Sequence, residues 1–376
     1  MIQAAPVWED GRWASLPGLD EDVEADVCVV GLGGSGLSCV HELLDLGVGV
    51  VGIDAGAVAS GAAGRNGGFL LAGSYHFYHD AVARYGRAQA HAIYRATLEQ
   101  IDRIAAETPS AVRRVGSIRL ATSRAEQDDC GAQLAAMRAD SLPVEPYEGA
   151  EGSGLLIPGD AAFDPLLRAR LLALRALERG ARLHENTPAL ALETGVVTTP
   201  RARIRCGVAI VAVDGALART LPELGGRVRT ARLQMLATAP TTEVQIPRPV
   251  YARYGMDYWQ QLEDGRVAVG GFRDVGGEGE WTASTELTRA VQDALETHLR
   301  RVIGVKAPIT HRWAASVGYT EDGLPILEEV RPRVWGVGGY SGTGNVIGAL
   351  CGRAVARLSL MDDSTLARPF LARARA

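Results

Sequence analysis

The chain has 376 residues, 47% of them apolar, with a formal charge of −5 and five cysteines. That length and apolar share are enough for two domains with separate cores, and arginines scattered rather than clustered leave no basic stripe for nucleic acid. Cys28, Cys39, Cys130, Cys206 and Cys351 form no Cys-x-x-Cys pair, so neither a disulfide framework nor a zinc site is expected, and no metal is assigned.

In chain order, the first twenty residues are polar and proline-bearing, without the positive and apolar regions of a signal peptide, and no later run reaches the roughly 18 apolar residues of a membrane span. A cytoplasmic location follows as an expectation. Residues 26–30 (DVCVV) read as a strand that runs into Gly31, Gly33 and Gly36, then a helix over about 37–46 and a second apolar run, 48–53, tipped by Asp54. Strand, glycine turn, helix and acid-tipped strand make the pattern of a Rossmann unit gripping a dinucleotide. Gly31 allows the sharp turn, Gly33 brings backbone up to a pyrophosphate, and Gly36 lets the helix pack on the strand. Gly34 and Ser35, in the turn before the helix, are candidate cofactor contacts with these glycines, and the helix N-terminus offers free N–H groups and partial positive charge. Asp54, with Ala55 beside it, would accept a ribose hydroxyl pair and repel a 2′-phosphate, which disfavours NADP. Residues 59–69 (ASGAAGRNGGF) are small apart from one Arg and one Asn. An extended cofactor with a large flat ring needs that, because only residues with little or no Cβ let backbone come so close. Ser60, Gly61, Arg65, Asn66, Gly67 and Gly68 are therefore candidate cofactor contacts, and Cys28 reads as core.

Residues 80–108 follow as one amphipathic helical region, with Ala83, Ala90, Ile93, Leu98, Ile101 and Ile104 at helical spacing. His76 and His79, just before it, read as ordinary loop or helix residues rather than a proton relay. A short strand over 116–121 and a helix over 124–140 come next. Asp164-Pro165 is an N-cap with Pro at N1, opening a helix to about 179. A strand over 180–183 and the apolar run 208–213 suit a buried parallel sheet. From about 227 the pattern changes to short strands over 232–238, 249–254, 258–262 and 266–271, the last two joined by the hairpin signal Glu263-Asp264-Gly265. Alternation puts Tyr258, Gln260 and Leu262 on one face and Trp259 and Gln261 on the other, leaving open which meets a ligand. A helix over 287–302 and a strand over 310–317 lead to a last strand, 334–337, a second glycine loop, 338–345, and a helix over 346–358 in which Cys351 reads as core.

Together the first glycine turn, the SGAAGRNGGF stretch, Trp313 with Thr320-Glu321-Asp322-Gly323-Leu324-Pro325, and Gly338-Gly339-Tyr340-Ser341-Gly342-Thr343-Gly344-Asn345 resemble the FAD-dependent D-amino-acid oxidase family, which includes glycine, sarcosine and γ-glutamylputrescine oxidases. The resemblance spans nearly the whole chain. It implies FAD, oxidation of a C–N bond, and an α/β fold in which a Rossmann-type FAD domain is interleaved with an antiparallel-sheet, α+β substrate domain. The expected division is 1–80, 150–226 and 310–376 for FAD and 81–149 with 227–309 for substrate. Beyond the residues above, it implies cofactor contacts at Ala189, Gly215, Gly339, Ser341, Gly342, Thr343, Gly344 and Asn345, the second loop serving the charge that gathers on a reduced flavin. Candidate substrate contacts are Tyr251, Arg253, Tyr258, Gln260, Arg273 and Tyr340.

Two departures qualify this. Family members place an Arg between the Trp and the Thr of the C-terminal motif to clamp a carboxylate, but Ala314 to Tyr319 here contain none, so a small amino acid loses its bidentate anchor. The expected substrate is a primary or secondary amine, or an amino acid held by Arg253 or Arg273, with O2 or another electron acceptor. No Cys stands near that motif and no His lies in 60–69, so FAD is expected to be noncovalent. An oxidase is the leading expectation. A dehydrogenase feeding a quinone or carrier, and a flavin-binding protein without catalysis, are the alternatives.

Overall fold

The computed structural model describes residues 2–371, and in it the DVCVV run lies within a longer strand, Val23–Val30, whose last four residues are buried. They can be apolar on both faces because the strand is interior to a parallel sheet. It pairs in parallel with Val50–Ile53 on one side and Arg203–Val211 on the other, and Arg182–His184 pairs in parallel outside Val50–Ile53. The long strand Arg203–Val211 shares its outer edge between the hairpin strand Val196–Thr198 and the strand Val334–Gly338. The helix Gly34–Asp45 starts earlier than expected, since Gly33 already serves as its N-cap. It packs on the last helix, Ala349–Met361, closely enough that a Cβ at Gly352 would overlap the Ser35 carbonyl. Cys28, Val51, Ile204, Val211, Leu217 and Val334 share one core here, each such side chain contributing about 1.5–3 kcal/mol on burial.

A second sheet runs, in spatial order, Ile309–Tyr319, Arg229–Thr238, Val267–Gly271, Asp257–Gln261, Val250–Ala252, Ser117–Leu120, Gly152–Ile157 and Glu145–Gly149. The expected hairpin joins two of these, and Gly265 takes φ +86° in its turn. Alternation sends Ile118, Val250, Trp259, Val269 and Leu236 to one face, where Val291 and Leu295 of the helix Arg289–His298 cover them. The opposite face carries the cross-strand row Leu155, Arg119, Tyr251, Tyr258, Gly270 and Met235.

Several elements differ from the expectation. The region 80–108 is two helices, Tyr78–Tyr85 and Arg87–Glu107, because Gly86 adopts φ +82° between them. The hairpin over 145–157 has no counterpart in the sequence reading. The strand expected over 249–254 stops at Ala252, since Arg253 and Tyr254 take left-handed φ of 48° and 56°. Both late helices acquire a wide turn, Leu299–Ile303 after one and Gly344–Gly348 before the other.

The chain divides into two compact units. One comprises the described residues up to Glu9, Arg65–Asp164 and Ala231–Ser316; the other comprises Asp10–Gly64, Pro165–Thr230 and the described residues from Val317 on. The described residues up to Glu9 and residues 65–80, 150–164 and 310–316, expected in the FAD-binding half, thus fall in the unit of the antiparallel sheet. The cause is strand pairing: Phe69–Leu70 pairs with Ala161–Phe163, and Gly152–Ile157 joins the large sheet. Among the described residues no helix is long and apolar enough to cross a membrane.

Candidate active site

In the parallel-sheet unit the first turn has the geometry its glycines demand. Gly31 has φ +104°, and a Cβ at Gly36 would overlap the Gly31 carbonyl. The helix N-terminus has no side-chain cap and no acid in its first turn, so its positive end is not neutralised from within. A Cβ at Gly34 or at Gly61 would meet nothing within 4 Å, which leaves room against the backbone. Asp54 sits where the adjacent strand ends. Its Oδ2 accepts from the Leu32 amide at 2.7 Å and its Oδ1 from the Gly56 amide at 2.9 Å, and each oxygen keeps a lone pair for another donor. Burial holds this carboxyl above its ordinary range against the pull of those two amides, with the Glu185 charge adding to the rise. A bare helix N-terminus, open glycine backbone and a ribose-competent carboxylate fit the pyrophosphate and adenosine of a dinucleotide.

The sequence reading missed Glu185. It is fully buried at the end of the neighbouring strand, where it accepts from Trp13 Nε1 (2.8 Å), the Leu16 amide (2.8 Å) and the Val58 amide (2.6 Å). Its signal was present: like Asp54, it is an acid directly after a short strand of the same sheet. Ala189 lies half-buried against the core, and Gly215 is buried with its carbonyl taking the Thr230 hydroxyl.

The second glycine loop is left-handed at three of four positions, Gly339 (φ 70°), Ser341 (52°) and Gly342 (91°). Asp214, also unforeseen, organises it. One oxygen accepts from the Gly339 and Tyr340 amides at 2.9 and 3.2 Å, and the other from the Gly318 amide at 3.1 Å. Burial pushes its carboxyl up to about 6 in spite of these three donors. Thr343 donates both its amide and its hydroxyl to the Tyr340 carbonyl, and Ser341 Oγ accepts from the Thr320 amide. Tyr340 does not turn toward a substrate: it is buried, its hydroxyl bonded at 2.7 Å to Ser35 Oγ at the start of the first helix. Gly344 and Asn345 open the wide turn before the last helix.

The remaining sequence-predicted residues lie in the antiparallel-sheet unit. Arg65 donates to the Ala314 carbonyl, its own carbonyl accepts from Trp313 Nε1 at 2.8 Å, and the Asn66 carbonyl accepts from Trp8 Nε1 at 3.0 Å. Gly67 and Gly68 are needed by packing inside the unit. A Cβ at Gly67 would press on the Tyr258 ring, and at Gly68, φ +74°, on the Phe163 carbonyl, Gln260 and Trp8. The Tyr251 and Tyr258 side is the face opposite the helix that covers Trp259; Tyr251 is buried on it, and Tyr258 is half-buried. Tyr258 stands edge-on to Phe69 with centroids 5.9 Å apart, and Tyr251 stacks on Phe77. Gln260 is committed to the Gly67 and Gly68 carbonyls.

The candidate arginines are engaged as well. Arg253 pairs with Asp257 and with Asp274, and Arg273 lies over the Trp281 ring at 4.4 Å. Arg119, in the same cross-strand row as Tyr251, is 1% exposed, lies over Phe77 at 3.3 Å and bonds Asp129 and Gln133. His79 also faces Asp129, at 3.0 Å, whereas His76 lies among Tyr75 and Tyr85. All five cysteines are free and buried.

A family model described as FAD dependent oxidoreductase matches residues 26–358. The chain is 27% identical over 380 residues to gamma-glutamylputrescine oxidoreductase of Escherichia coli (strain K12), covering 92% of this chain and 86% of that protein. In fold it is similar to glycine oxidase from Geobacillus kaustophilus (TM-score 0.76, 20% identity, 94% of this chain and 99% of that one). It is also similar to L-proline dehydrogenase from P. horikoshii (TM-score 0.75, 19% identity, 93% and 96%).

Proposed function

This chain belongs to the FAD-dependent oxidoreductase family of D-amino-acid oxidase type, and from that membership we propose that it oxidises a C–N bond of a primary or secondary amine. FAD supplies the hydride acceptor. The chain's residues supply binding and orientation. The N-terminus of the helix Gly34–Asp45 would hold the pyrophosphate, and Asp54 would take the ribose hydroxyls. The backbone of residues 342–344, in the loop that Asp214 ties down at Gly339 and Tyr340, would donate toward negative charge on the ring. Ser60 and Gly61 of the same unit would add to the cofactor contacts. Tyr251 and Tyr258, in the antiparallel-sheet unit, would be the substrate contacts.

One observation carries the choice of an amine over a small amino acid. No Arg stands between Trp313 and Thr320, Arg253 and Arg119 are already bound by carboxylates, and Arg273 lies over the Trp281 ring. A substrate carboxylate would have to compete with those ion pairs for its bidentate donor. The relative named gamma-glutamylputrescine oxidoreductase is in keeping with an amine.

The test is an absorbance spectrum of the purified protein followed by a panel of amines and amino acids assayed for hydrogen peroxide and, separately, for reduction of an artificial carrier. We expect a flavin spectrum and turnover of amines with peroxide release. Efficient turnover of glycine or D-alanine with no reaction of amines would overturn the substrate assignment. Carrier reduction without peroxide would make the protein a dehydrogenase, and flavin without turnover a binding protein.

A further inference from the structure

In the parallel-sheet unit, residues 11–20 form neither helix nor strand, and all are exposed except Trp13, Leu16 and Leu19, spaced three apart. Each of these three bonds to the stretch 185–187. Trp13 Nε1 donates to Glu185 Oε1 at 2.8 Å, the Leu16 amide to Glu185 Oε2 at 2.8 Å, and the Leu19 amide to the Thr187 hydroxyl oxygen at 3.0 Å. Arg170 lies over the Trp13 ring at 5.5 Å and reaches Asp10 at 3.5 Å. The third donor to Glu185 comes from another segment: the Val58 amide, at 2.6 Å to Oε1. Val58 stands between Asp54 and the candidate cofactor contacts Ser60 and Gly61. The next residue, Ala59, takes a left-handed φ of 56°, which a residue with a Cβ keeps only when its surroundings hold it there. Two bonds do so, Val58 amide to Glu185 and Ala59 amide to the Leu32 carbonyl at 3.1 Å. One fully buried carboxylate thus ties the segment 11–20 to the turn that leads into Ser60 and Gly61.

We propose that Glu185 is a positioning residue for FAD: it couples the segment 11–20 to the segment 55–61, so that docking of the first and FAD binding at the second strengthen each other. The inference rests on the assignment of Asp54, Ser60 and Gly61 to the cofactor above. Two of the three donors that orient the carboxylate come from 11–20, one on each oxygen. Without them the buried carboxylate keeps a single amide, and it turns toward water to recover the lost hydrogen bonds. Val58 then loses its acceptor, and Ala59 relaxes out of the left-handed region. Ser60 and Gly61 follow it and lose their fit to the cofactor. The coupling runs equally in the other direction, as linkage requires. FAD against Ser60 and Gly61 holds the turn, the turn holds the Val58 amide on Glu185, and the oriented carboxylate holds Trp13 and Leu16.

The Asp54 end of the same turn is fastened by a separate route. The Gly56 amide donates to Asp54 Oδ1 at 2.9 Å, and the Gly56 carbonyl accepts from the Asn186 amide at 3.0 Å. No residue of 11–20 takes part in either bond, so this end stays in place when 11–20 lifts. The loss of FAD affinity is therefore partial, confined to the Ser60 and Gly61 contacts. A purely structural role, in which Trp13 and Glu185 only fasten 11–20, would lower the melting temperature equally with and without FAD and leave FAD affinity unchanged.

The experiment uses the full chain, stripped of flavin and titrated with FAD, as wild type, Trp13→Phe, Glu185→Gln, the double variant of these two, and Asp54→Asn. It reads the FAD dissociation constant by flavin fluorescence and the amide exchange of peptides covering 11–20 by mass spectrometry. In wild type, FAD slows exchange in 11–20 about tenfold, although no residue of that segment is a candidate cofactor contact. Trp13→Phe keeps a ring for Arg170 but gives up its bond to Glu185, and it binds FAD about fivefold more weakly. Glu185→Gln, which can no longer accept on both sides of its side chain, binds FAD about tenfold more weakly. The double variant is no worse than Glu185→Gln alone, because the Trp13 effect travels through Glu185. Trp13→Phe and the wild-type exchange decide the matter even where Glu185→Gln fails to fold. Exchange in 11–20 unmoved by FAD, or Trp13→Phe binding FAD as wild type does, overturns the coupling alone when Asp54→Asn still weakens FAD binding. Wild-type FAD affinity in Asp54→Asn overturns the assignment of this segment to the cofactor and the coupling with it.

Discussion

Single glycines and single carboxylates decide most of what this chain does with its cofactor. Gly34 is the informative case, because a Cβ there meets nothing in the protein. Gly34→Ala should therefore fold with an unchanged circular dichroism spectrum, yet bind FAD at least tenfold more weakly in a fluorescence titration, since the added methyl occupies the approach to the pyrophosphate. Gly36 cannot serve for this test, because its Cβ would break the turn itself. At Asp214 the folded carboxyl is raised from 3.8 to about 6. The folded state then holds a proton that the unfolded state has already lost, so its contribution to stability falls as pH rises from about 4 to about 6. The melting temperature of wild type, measured against Asp214→Asn, should decline across that window and flatten above it. The cradle from Gly31 to Asp54 was legible in the sequence because its chemistry depends on local spacing. Asp214 and Glu185 were not, because nothing in their neighbours announces that a carboxylate will be buried among backbone amides from distant segments. Tyr340 shows the converse: its place in a glycine-rich motif suggested a ligand contact, and packing turned it onto Ser35.

Elements followed their periodicity where one face was buried and departed where a single backbone dihedral intervened. The hairpin over 257–271 was readable because a turn signal separates two alternating runs. The break at Gly86 carried a signal, a glycine within a helical pattern, but apolar spacing continued across it. The left-handed pair Arg253 and Tyr254 carried none, since neither residue favours that conformation. It is held from outside, by Glu126 accepting the Tyr254 amide at 2.9 Å and by two aspartates gripping Arg253. In the cross-strand row with Tyr251 and Tyr258, Gly270 lies directly under the Tyr258 ring, and a Cβ there would overlap it. Gly270→Ala should displace Tyr258, costing about 1–3 kcal/mol by denaturant melt and raising KM for the amine more than it lowers kcat.

At the scale of the molecule, the FAD-dependent oxidoreductase assignment and the alternation of Rossmann and antiparallel patterns could be read directly, whereas the partition of the chain between units could not. Residues 65–80 look like a continuation of the first nucleotide-binding segment, and only the pairing of Phe69–Leu70 with Ala161–Phe163 reveals their partners. The five cysteines are all buried, with Cys351 inside the last helix, so none is offered for attachment. FAD should accordingly stay in the supernatant after acid precipitation, and stripping it should lower the melting temperature until added FAD restores it by mass action.

Neither unit is contiguous, and this governs how the protein can be made. Gln3 bridges in parallel to His311, its amide bonded to the Thr310 carbonyl at 2.8 Å and its carbonyl accepting the Arg312 amide at 3.0 Å. On a ribosome adding about 5–20 residues per second, the segment around Gln3 waits on the order of 15–60 s for the strand around His311 to follow it out of the exit tunnel. Throughout that interval both half-built sheets expose unpaired edges. Synthesis of this enzyme should depend on holding chaperones far more than that of a chain of equal length whose domains follow one another.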